Sequence, residues 1–240
     1  MDSEEPRPLA GIACITFDLD DTLWDCAPVI EAAERTLHDW LDARCPGFAR
    51  ALPFEAFIAE RARHYRANPR WHHDMTALRR DFLQQLLVRH GCDPGLLQAA
   101  LDVFLQARNA VCLYHNAAPA LERLGRRFRL GVVTNGNADV RRIGIDHLFD
   151  FVVTTAEVGV PKPDPRLYRT VADRSGLAAE RILHVGDDPE RDVWGAAMAG
   201  MKTAWVNPRN RAWPRTDCRP DLVIGSVDEL PVLFAVESAS

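Results

Sequence analysis

The segment FDLDDTL follows directly on an apolar run at residues 12–17 that is predicted to form a buried strand. Asp18, Asp20 and Asp21 lie in this segment, with Thr22 beside them. Carboxylates at such short spacing repel one another and raise each other's pKa unless a cation neutralises them. A cluster of oxygen ligands suits Mg²⁺, which prefers a few carboxylates together with water and substrate phosphate oxygens. The segment therefore predicts a magnesium site, and the alternative is a solvated turn in which Asp and Thr cap a helix.

Further polar residues follow the other strand-like runs of the chain. They are Thr134, Asn135 and Gly136 after the second run, Lys162 in the loop after the third, and Asp187 and Asp188 after the fourth. In open α/β sheets, ligands bind at the carboxyl ends of the strands. We therefore expect these residues to share one edge of a sheet with Asp18, where Lys162 would supply the positive charge that the carboxylates lack.

Strand-like and helical segments, which must position these residues, alternate along the chain. Strand-like apolar runs lie at residues 12–17, 128–134, 149–155, 181–186 and 202–206, with helical patterns between the later ones. Residues 221–235 add a short strand and a helix near the C-terminus. Such alternation predicts an α/β fold with a Rossmann-like parallel sheet that is covered by helices on both faces.

A different pattern fills residues 28–113, where apolar residues recur at helical spacing and strand signals are few. A parallel sheet would otherwise need a connection of more than about eighty residues without a strand. We therefore predict an α-helical cap domain at residues 28–113, inserted into a core domain formed by residues 1–27 and 114–240.

Composition narrows the possible partners and compartments. The formal net charge of -5 gives no global reason to expect nucleic acid or an anionic membrane as a partner. No apolar stretch approaches the length of a membrane span, and the leader MDSEEPRPLA, predicted to be disordered, lacks the apolar core of a secretion signal. Six cysteines without a Cys-x-x-Cys pair predict reduced, mostly buried thiols and a cytoplasmic compartment.

The ordered set of motifs resembles the haloacid dehalogenase-like hydrolase superfamily. DLDDT is similar to the first motif of that family, VVTNGN to the second, the lysine of GVPKP to the third, and HVGDDPERD to the acidic fourth motif. The resemblance covers nearly the whole chain, because the helical segment lies where this family inserts a cap. It implies a Mg²⁺-dependent hydrolase that acts on a small-molecule phosphate ester.

The chemistry of such an ester assigns roles to the first motif and the lysine. Hydrolysis needs a nucleophile, neutralisation of the phosphoryl oxygens and a proton for the leaving alkoxide. A carboxylate can be the nucleophile through an aspartyl-phosphate without a base to activate it, and we assign this role to Asp18. Asp20 can protonate the leaving oxygen and then deprotonate the attacking water. Thr22 would hold the loop and orient Asp20, and Lys162 would offset negative charge on nucleophile and phosphate.

The second motif is assigned to the substrate's phosphate. The Thr134 hydroxyl and the amides of Asn135 and Gly136 would hold phosphoryl oxygens near the start of a helix.

The metal ligands come from the first and fourth motifs. Asp18 and Asp187 would bind Mg²⁺ through their carboxylates, and the resemblance implies that the main-chain carbonyl of Asp20 joins them. Asp192 would lie in the next shell, where it positions a metal-bound water or the lysine. Whether Asp188 touches the metal stays open.

Substrate choice should lie in the cap. Residues 61–82 are rich in Arg, His, Tyr and Trp, and Trp71 and Arg79 are the candidates to contact a ring or a polyol. The alternative is that Tyr65 and Trp71 are core aromatics and that the arginines form a solvated helix face. Local motifs such as WHHDMTALRRDFLQQLL and TNGNADV resemble the bacterial flavin mononucleotide (FMN) phosphatases, which also dephosphorylate 5-amino-6-(5-phospho-D-ribitylamino)uracil in riboflavin biosynthesis.

Other functions remain as alternatives. A broad sugar-phosphate or phosphoglycolate phosphatase would share the catalytic core and differ in the cap. The 2-haloacid dehalogenases of the superfamily lack an acid at the position of Asp20, because halide leaves without a proton, so Asp20 favours a phosphatase. A non-catalytic phosphate- or metal-binding module is disfavoured by the complete catalytic set.

Overall fold

The computed structural model describes residues 9–236, so the predicted N-terminal leader lies almost entirely outside the described residues. The chain divides into two compact units. The α/β unit contains the described residues up to Asp25, Cys112–Asn135 and residues 144–236. The helical unit contains Cys26–Val111 and a short second segment, Gly136–Ile143, which the predicted domain boundaries at 27/28 and 113/114 do not include.

Within the described residues, six strands form one sheet in the α/β unit. They are β1 (Cys14–Phe17), β2 (Arg129–Thr134), β3 (Phe151–Thr154), β4 (Ile182–Gly186), β5 (Lys202–Val206) and β6 (Leu222–Ile224). Their order in the sheet is β3-β2-β1-β4-β5-β6, and every neighbouring pair is parallel. The predicted α/β class with a Rossmann-like parallel sheet is confirmed, and each predicted strand contains an observed one.

The two central strands carry the residues on which the site depends. Every residue of β1 and β4 is buried, because helices cover both faces of the sheet at its centre. Strands in this position need apolar residues on both faces, which is why their sequences are continuous apolar runs. Thr16 and His184 are polar exceptions in these runs, and they are register partners in neighbouring strands.

The helical unit contains the first five helices of the chain. They are α1 (Cys26–Asp42), α2 (Phe48–Ala51), α3 (Phe54–Ala67), α4 (Met75–Arg89) and α5 (Leu97–Arg108), with 3-10 turns at Pro69–Trp71 and Pro94–Leu96. Their core is built from apolar side chains that include Leu37, Phe57, Phe82 and Phe104. The apolar spacing predicts α1, α4 and α5, whereas the polar sequence of α3 gives a weak signal because few of its residues are buried.

Six further helices follow in the described chain after α5. They are α6 (Ala117–Gly125), α7 (Val140–Ile143), α8 (Thr155–Val158), α9 (Pro165–Ser175), α10 (Gly195–Met198) and α11 (Leu230–Leu233), with 3-10 turns at Asp146–Leu148, Ala179–Arg181 and Val227–Glu229. A π-helical turn, Pro189–Trp194, leads into α10. Helix α7 belongs to the second segment of the helical unit. Within residues 9–236, no helix combines the length and the apolar character that crossing a bilayer requires.

One cysteine pair departs from the prediction of reduced thiols. Cys45 and Cys92 form a disulfide inside the helical unit, with their Cα atoms 5.4 Å apart. The prediction is wrong for this pair, because a separation of 47 residues gives no local signal and only the folded helices bring the two residues within bonding reach. Cys14, Cys26, Cys112 and Cys218 are free thiols. The cytoplasmic compartment stays a prediction.

Candidate active site

The register of the sheet brings the first and fourth motifs to one edge. Phe17 of β1 pairs with Val185 of β4, and the main-chain N–H of Asp18 donates to the carbonyl of Val185 at 2.9 Å. Continuing the same register, Asp18 lies beside Gly186, and Asp187 follows one residue later. Carboxylates that are far apart in sequence therefore meet at the carboxyl end of neighbouring parallel strands.

A buried lysine joins two carboxylates at this edge. Lys162 is 4% exposed, and its Nζ donates to Asp18 Oδ1 at 2.5 Å and to Asp192 Oδ1 at 2.7 Å. A third hydrogen bond, of 3.1 Å, goes to the carbonyl of Val133. An ammonium has three hydrogens, and all three are used by these acceptors. Lys162 is therefore held in one position against Asp18.

The pKa values of Lys162, Asp192 and Asp18 are shifted from their ordinary values in different ways. Burial alone would lower the pKa of Lys162, but the carboxylates of Asp18 and Asp192 raise it above its ordinary value. Burial also opposes ionisation of Asp192, yet Lys162 brings the pKa of that carboxyl below its usual range. For Asp18, burial raises the pKa to about 8 even though Lys162 acts to lower it. One ammonium thus faces two carboxylates, so the three side chains together leave one negative charge without a cation.

Both oxygens of Asp192 are occupied by donors of the protein. Oδ1 accepts from Lys162 and lies 3.3 Å from His184 Nε2, while Oδ2 accepts from the main-chain N–H of Asp188 at 3.0 Å. Gly186 makes room for this arrangement, because a Cβ at that position would overlap the side chain of Asp192. Asp192 is therefore an anchor for Lys162.

The acidic residues fit a divalent cation. Asp18, Asp187 and Asp192 each offer a carboxylate oxygen within 4.8 Å of the other two. Burial raises the pKa of Asp187 to about 7, and neighbouring carboxylates, first among them Asp192, raise it further. Both oxygens of Asp192 already accept from protein donors, so Asp18 and Asp187 are the better candidates of the three, and hard oxygen donors of this kind suit Mg²⁺. They are the side chains that would hold the ion.

Asp20 is held by a tryptophan. The indole N–H of the fully buried Trp24 donates to Asp20 Oδ1 at 2.9 Å, and the main-chain N–H of Asp21 donates to the carbonyl of Trp24 at 2.8 Å. Asp21 adopts a left-handed backbone conformation with φ of 60°, which Asp tolerates in turns. Thr22, to which the sequence assigned the orienting role, is buried, and its hydroxyl has no hydrogen-bond partner among residues 9–236.

The second motif lies beside the lysine loop. Thr134 ends β2 and is buried. The Asn135 side chain is bound to the main chain of Lys162, since its Oδ1 accepts from the Lys162 N–H at 2.8 Å and its Nδ2 donates to the Lys162 carbonyl at 3.4 Å. Asn135 therefore fixes the backbone from which the lysine extends. Gly136 begins the short segment that is assigned to the helical unit.

Asp188 has a local structural role. Its Oδ1 accepts from two main-chain N–H groups of the helical turn that follows, at 2.8 and 2.9 Å. The carboxylate is the N-cap of the π-helical turn Pro189–Trp194.

The two substrate candidates of the helical unit differ in their surroundings. Arg79 is buried, and its two Nη atoms donate to the carboxylate of Glu34 at 2.9 and 2.5 Å. Its guanidinium also lies 3.7 Å from the centroid of the Phe104 ring. Trp71 is half-buried, and its indole nitrogen, itself shielded from solvent, has no hydrogen-bond partner in the described part of the chain. Arg79 is thus tied into the interior of its unit, while Trp71 keeps an unsatisfied donor.

Sequence reasoning missed Trp24 and His184. An indole four residues after Asp20 in DLDDTLWD is the signal that could have identified Trp24 as its partner. A histidine inside the buried run ILHVG is the corresponding signal for His184, since a polar side chain in such a strand needs a specific partner.

Comparison with known proteins gives a family match over most of the chain. The family model described as haloacid dehalogenase-like hydrolase matches residues 12–200. The 5-amino-6-(5-phospho-D-ribitylamino)uracil phosphatase YigB of Escherichia coli is 32% identical over 212 residues, which cover 85% of this chain and 87% of that protein. The phosphoserine phosphatase of Thermus thermophilus is 30% identical over 242 residues, which cover 90% of this chain and 96% of that protein.

A solved structure that is similar to this chain is named as a dehalogenase and not as a phosphatase. The 2-haloacid dehalogenase from Pseudomonas syringae pv. tomato is 40% identical and superimposes with a TM-score of 0.85. The match covers 93% of this chain and 98% of that one.

Proposed function

The chain belongs to the haloacid dehalogenase-like hydrolase family, and on that basis we propose that it hydrolyses phosphate monoesters through an aspartyl-phosphate on Asp18. The observation that carries the proposal is the position of Asp18. It stands at the end of a central strand, in contact with the buried ammonium of Lys162, and is followed two residues later by Asp20. Relatives that are named as phosphatases support the same reaction class.

The proposed reaction uses the two aspartates of the first motif in turn. The Asp18 carboxylate attacks phosphorus, and the bond from phosphorus to the leaving oxygen breaks. Asp20, held by Trp24, acts as the general acid and gives a proton to that oxygen, so the product leaves as an alcohol. The ionised Asp20 then takes a proton from water, which attacks the phosphorus of the aspartyl-phosphate. Inorganic phosphate leaves, and Asp18 is restored.

The other groups of the site offset charge and hold the phosphate. Lys162 stabilises the negative charge where Asp18 meets the phosphoryl oxygens. Thr134, Asn135 and Gly136 are proposed to donate to those oxygens. Mg²⁺, bound by Asp18, Asp187 and the main-chain carbonyl of Asp20, would supply the further positive charge that the phosphoryl group requires.

A second candidate function is 2-haloacid dehalogenation, which the name of the solved relative at 40% identity favours. Displacing a halide needs a carboxylate nucleophile but no proton for the leaving group, so Asp20 would have no task in that reaction. The hydrogen bond that fixes Asp20 to Trp24 at 2.9 Å supports a reaction in which this carboxyl takes part. Phosphate ester hydrolysis is therefore the function that we prefer.

We further propose that the substrate is FMN or 5-amino-6-(5-phospho-D-ribitylamino)uracil and that the helical unit is the cap that selects it. The relative YigB, at 32% identity, supports the choice by its name. Trp71 supports it by its chemistry, because its ring can stack on a heteroaromatic ring and its unsatisfied N–H can donate to a ring carbonyl. Arg79 is the weaker candidate, since Glu34 holds both of its Nη atoms.

The deciding experiment compares two reactions of the purified protein. Hydrolysis of p-nitrophenyl phosphate is measured with Mg²⁺ and with EDTA, alongside chloride release from 2-chloropropionate. We expect Mg²⁺-dependent phosphate release and no chloride release, with phosphate release absent in an Asp18→Asn variant. Chloride release without phosphate release would establish the dehalogenase instead.

A substrate panel tests the finer proposal. It ranks kcat/KM for FMN, the ribitylaminouracil phosphate, phosphoglycolate, phosphoserine and hexose phosphates. The two ribityl phosphates should lead, and Trp71→Leu should reduce their kcat/KM more than that of phosphoglycolate, which has no ring to stack. If both ribityl phosphates rank below simple sugar phosphates, the protein is a broad sugar-phosphate phosphatase or, if phosphoglycolate leads, a phosphoglycolate phosphatase.

A further inference from the structure

A row of polar side chains runs through the interior of the α/β unit to the site. Thr16 on β1 and His184 on β4 are register partners, and both are buried. Thr16 Oγ1 lies 2.9 Å from His184 Nδ1, and His184 Nε2 lies 3.3 Å from Asp192 Oδ1. Asp192 in turn accepts from Lys162, which donates to Asp18. The row thus links the middle of the sheet to the carboxylate at its edge.

The neighbours of the His184 ring select one of its two neutral tautomers. Burial lowers the pKa of His184 even though Asp192 acts to raise it, so the ring is neutral at physiological pH. A neutral imidazole donates from one nitrogen and accepts at the other. The ionised Asp192 can only accept, so Nε2 must carry the hydrogen. Nδ1 then accepts from the hydroxyl of Thr16, which is able to donate. The opposite tautomer would turn a lone pair towards the carboxylate.

We propose that His184 is a positioning residue for the reaction: its Nε2–H, in the tautomer that leaves Nδ1 to accept from the Thr16 hydroxyl, holds the Asp192 carboxylate where it anchors Lys162 against Asp18. The inference rests on the proposed function, in which Lys162 and Asp18 act on the phosphoryl group. Without the imidazole donor, Asp192 Oδ1 keeps Lys162 as its remaining side-chain donor. The carboxylate can then shift, and the ammonium shifts with it relative to Asp18.

The packing around the ring allows its shape to be separated from its hydrogen bond. The Tyr168 ring meets the His184 ring edge-on, with 5.4 Å between centroids. The Tyr168 hydroxyl also donates to the carbonyl of Arg191, the residue before Asp192. A leucine at position 184 would fill most of this space without a donor, whereas a glutamine would place an amide N–H near the position of Nε2.

The kinetic test uses variants of Thr16 and His184, the first two residues of the row. His184→Leu should lower kcat roughly tenfold or more, because a hydrogen bond to a charged group is lost, and His184→Gln should retain most of the activity. Thr16→Val should lower kcat less, and it should add nothing in a His184→Leu background because both changes break the same connection. Thr203→Val is the matched control, since its buried hydroxyl, on β5, bonds Asp221 instead, and it should keep the wild-type kcat.

Thermal unfolding of each variant separates a loss of positioning from a loss of fold. A His184→Leu protein with wild-type kcat would overturn the inference. So would a His184→Gln protein that is as folded as wild type and yet as slow as His184→Leu. A Thr16→Val loss that persists in full in the His184→Leu background would also overturn it, because the two residues would then act independently.

A spectroscopic measurement tests the row without any turnover. The metal-free protein is labelled with ¹⁵N-histidine, and the ring signals of His184 are assigned by their loss in His184→Gln. Nitrogen shifts of the Nε2–H tautomer are expected. Shifts of the Nδ1–H tautomer, or of a ring protonated at both nitrogens, would overturn the inference. If the wild type hydrolyses no phosphate ester, the proposed function fails on its own, and the tautomer still decides whether the row exists.

Discussion

Replacing Lys162 by methionine removes the ammonium and keeps a side chain of similar length. The carboxylates of Asp18 and Asp192, which lie 2.5 and 2.7 Å from Nζ in the wild type, would then share the interior without their cation. Removing one partner of a buried ion pair costs about 3–5 kcal/mol, because the remaining charge stays buried without compensation. We expect the free energy of unfolding to fall by an amount of this size at pH 8.

The loss in the free energy of unfolding of Lys162→Met should become smaller as the pH falls. In the wild type, the pKa of Asp192 lies below its ordinary value of 3.8, so its contribution to stability is present above that pH and is lost as the pH falls through the folded pKa. In the variant, Asp192 is buried without the ammonium, so its pKa rises. The pKa of Asp18 also rises, above the value of about 8 that it has in the wild type. The folded variant therefore binds protons more tightly than the unfolded chain, and its stability declines as the pH rises from about 4 towards 8. Between pH 5 and pH 8 the wild-type contribution of Asp192 is constant, so the raised pKa of Asp192 in the variant makes the deficit larger at pH 8 than at pH 5.

Urea denaturation in EDTA measures the loss in the free energy of unfolding at pH 5 and at pH 8. In a separate activity assay, the kcat of Lys162→Met should fall at least about 100-fold. Lys202→Met is the matched control, because this lysine is 42% exposed and pairs with Asp221 at 2.9 Å. An exposed pair contributes less than about 1 kcal/mol, so the control should stay close to wild type at both pH values. Equal deficits for Lys162→Met at pH 5 and pH 8, or a kcat near that of the wild type, would refute the reasoning.

Three further predictions concern the aspartates. Asp18→Asn should abolish phosphate release while thermal unfolding shows an intact fold; turnover like that of the wild type would rule out the covalent route. Asp20→Asn should slow alkyl phosphates more than p-nitrophenyl phosphate, whose leaving group needs less help from an acid, and an equal slowing of both would contradict its role. Asp187→Asn should weaken Mg²⁺ binding in calorimetry. Because burial raises the pKa of Asp187 to about 7, Mg²⁺ must displace a proton below that pH, so the wild-type affinity should drop from pH 8 to pH 6; an affinity independent of pH would argue against this ligand.

The sheet and the cluster of carboxylates could be predicted because both depend on local signals. A central strand covered on both faces must be apolar throughout, so β1 and β4 stand out as continuous runs. Parallel strands all end at the same edge, so residues placed after these runs are expected to meet. The contact between Lys162 and Asp18 joins residues 144 positions apart, yet it follows from this rule once the strands are identified.

The partners of these residues could not be predicted in the same way. His184 looks like a core residue in its strand until the register sets Thr16 beside it, and the register comes from tertiary packing. The disulfide between Cys45 and Cys92 depends on how helices meet. Helix α3 buries only Phe57 and Glu60, so its sequence shows no clear apolar stripe.

Lys162 and Lys202 are the only lysines in the sequence, so the side-chain amine chemistry of the molecule is unusually selective. Acylating reagents attack a neutral, accessible amine, and Lys162 is buried with every hydrogen of its ammonium bound. Lys202 is the accessible lysine, and it lies at the start of β5, on the sheet edge opposite the one that carries Asp18. Of the two lysines, a fluorophore or a surface linkage would therefore attach at Lys202, away from the reacting groups.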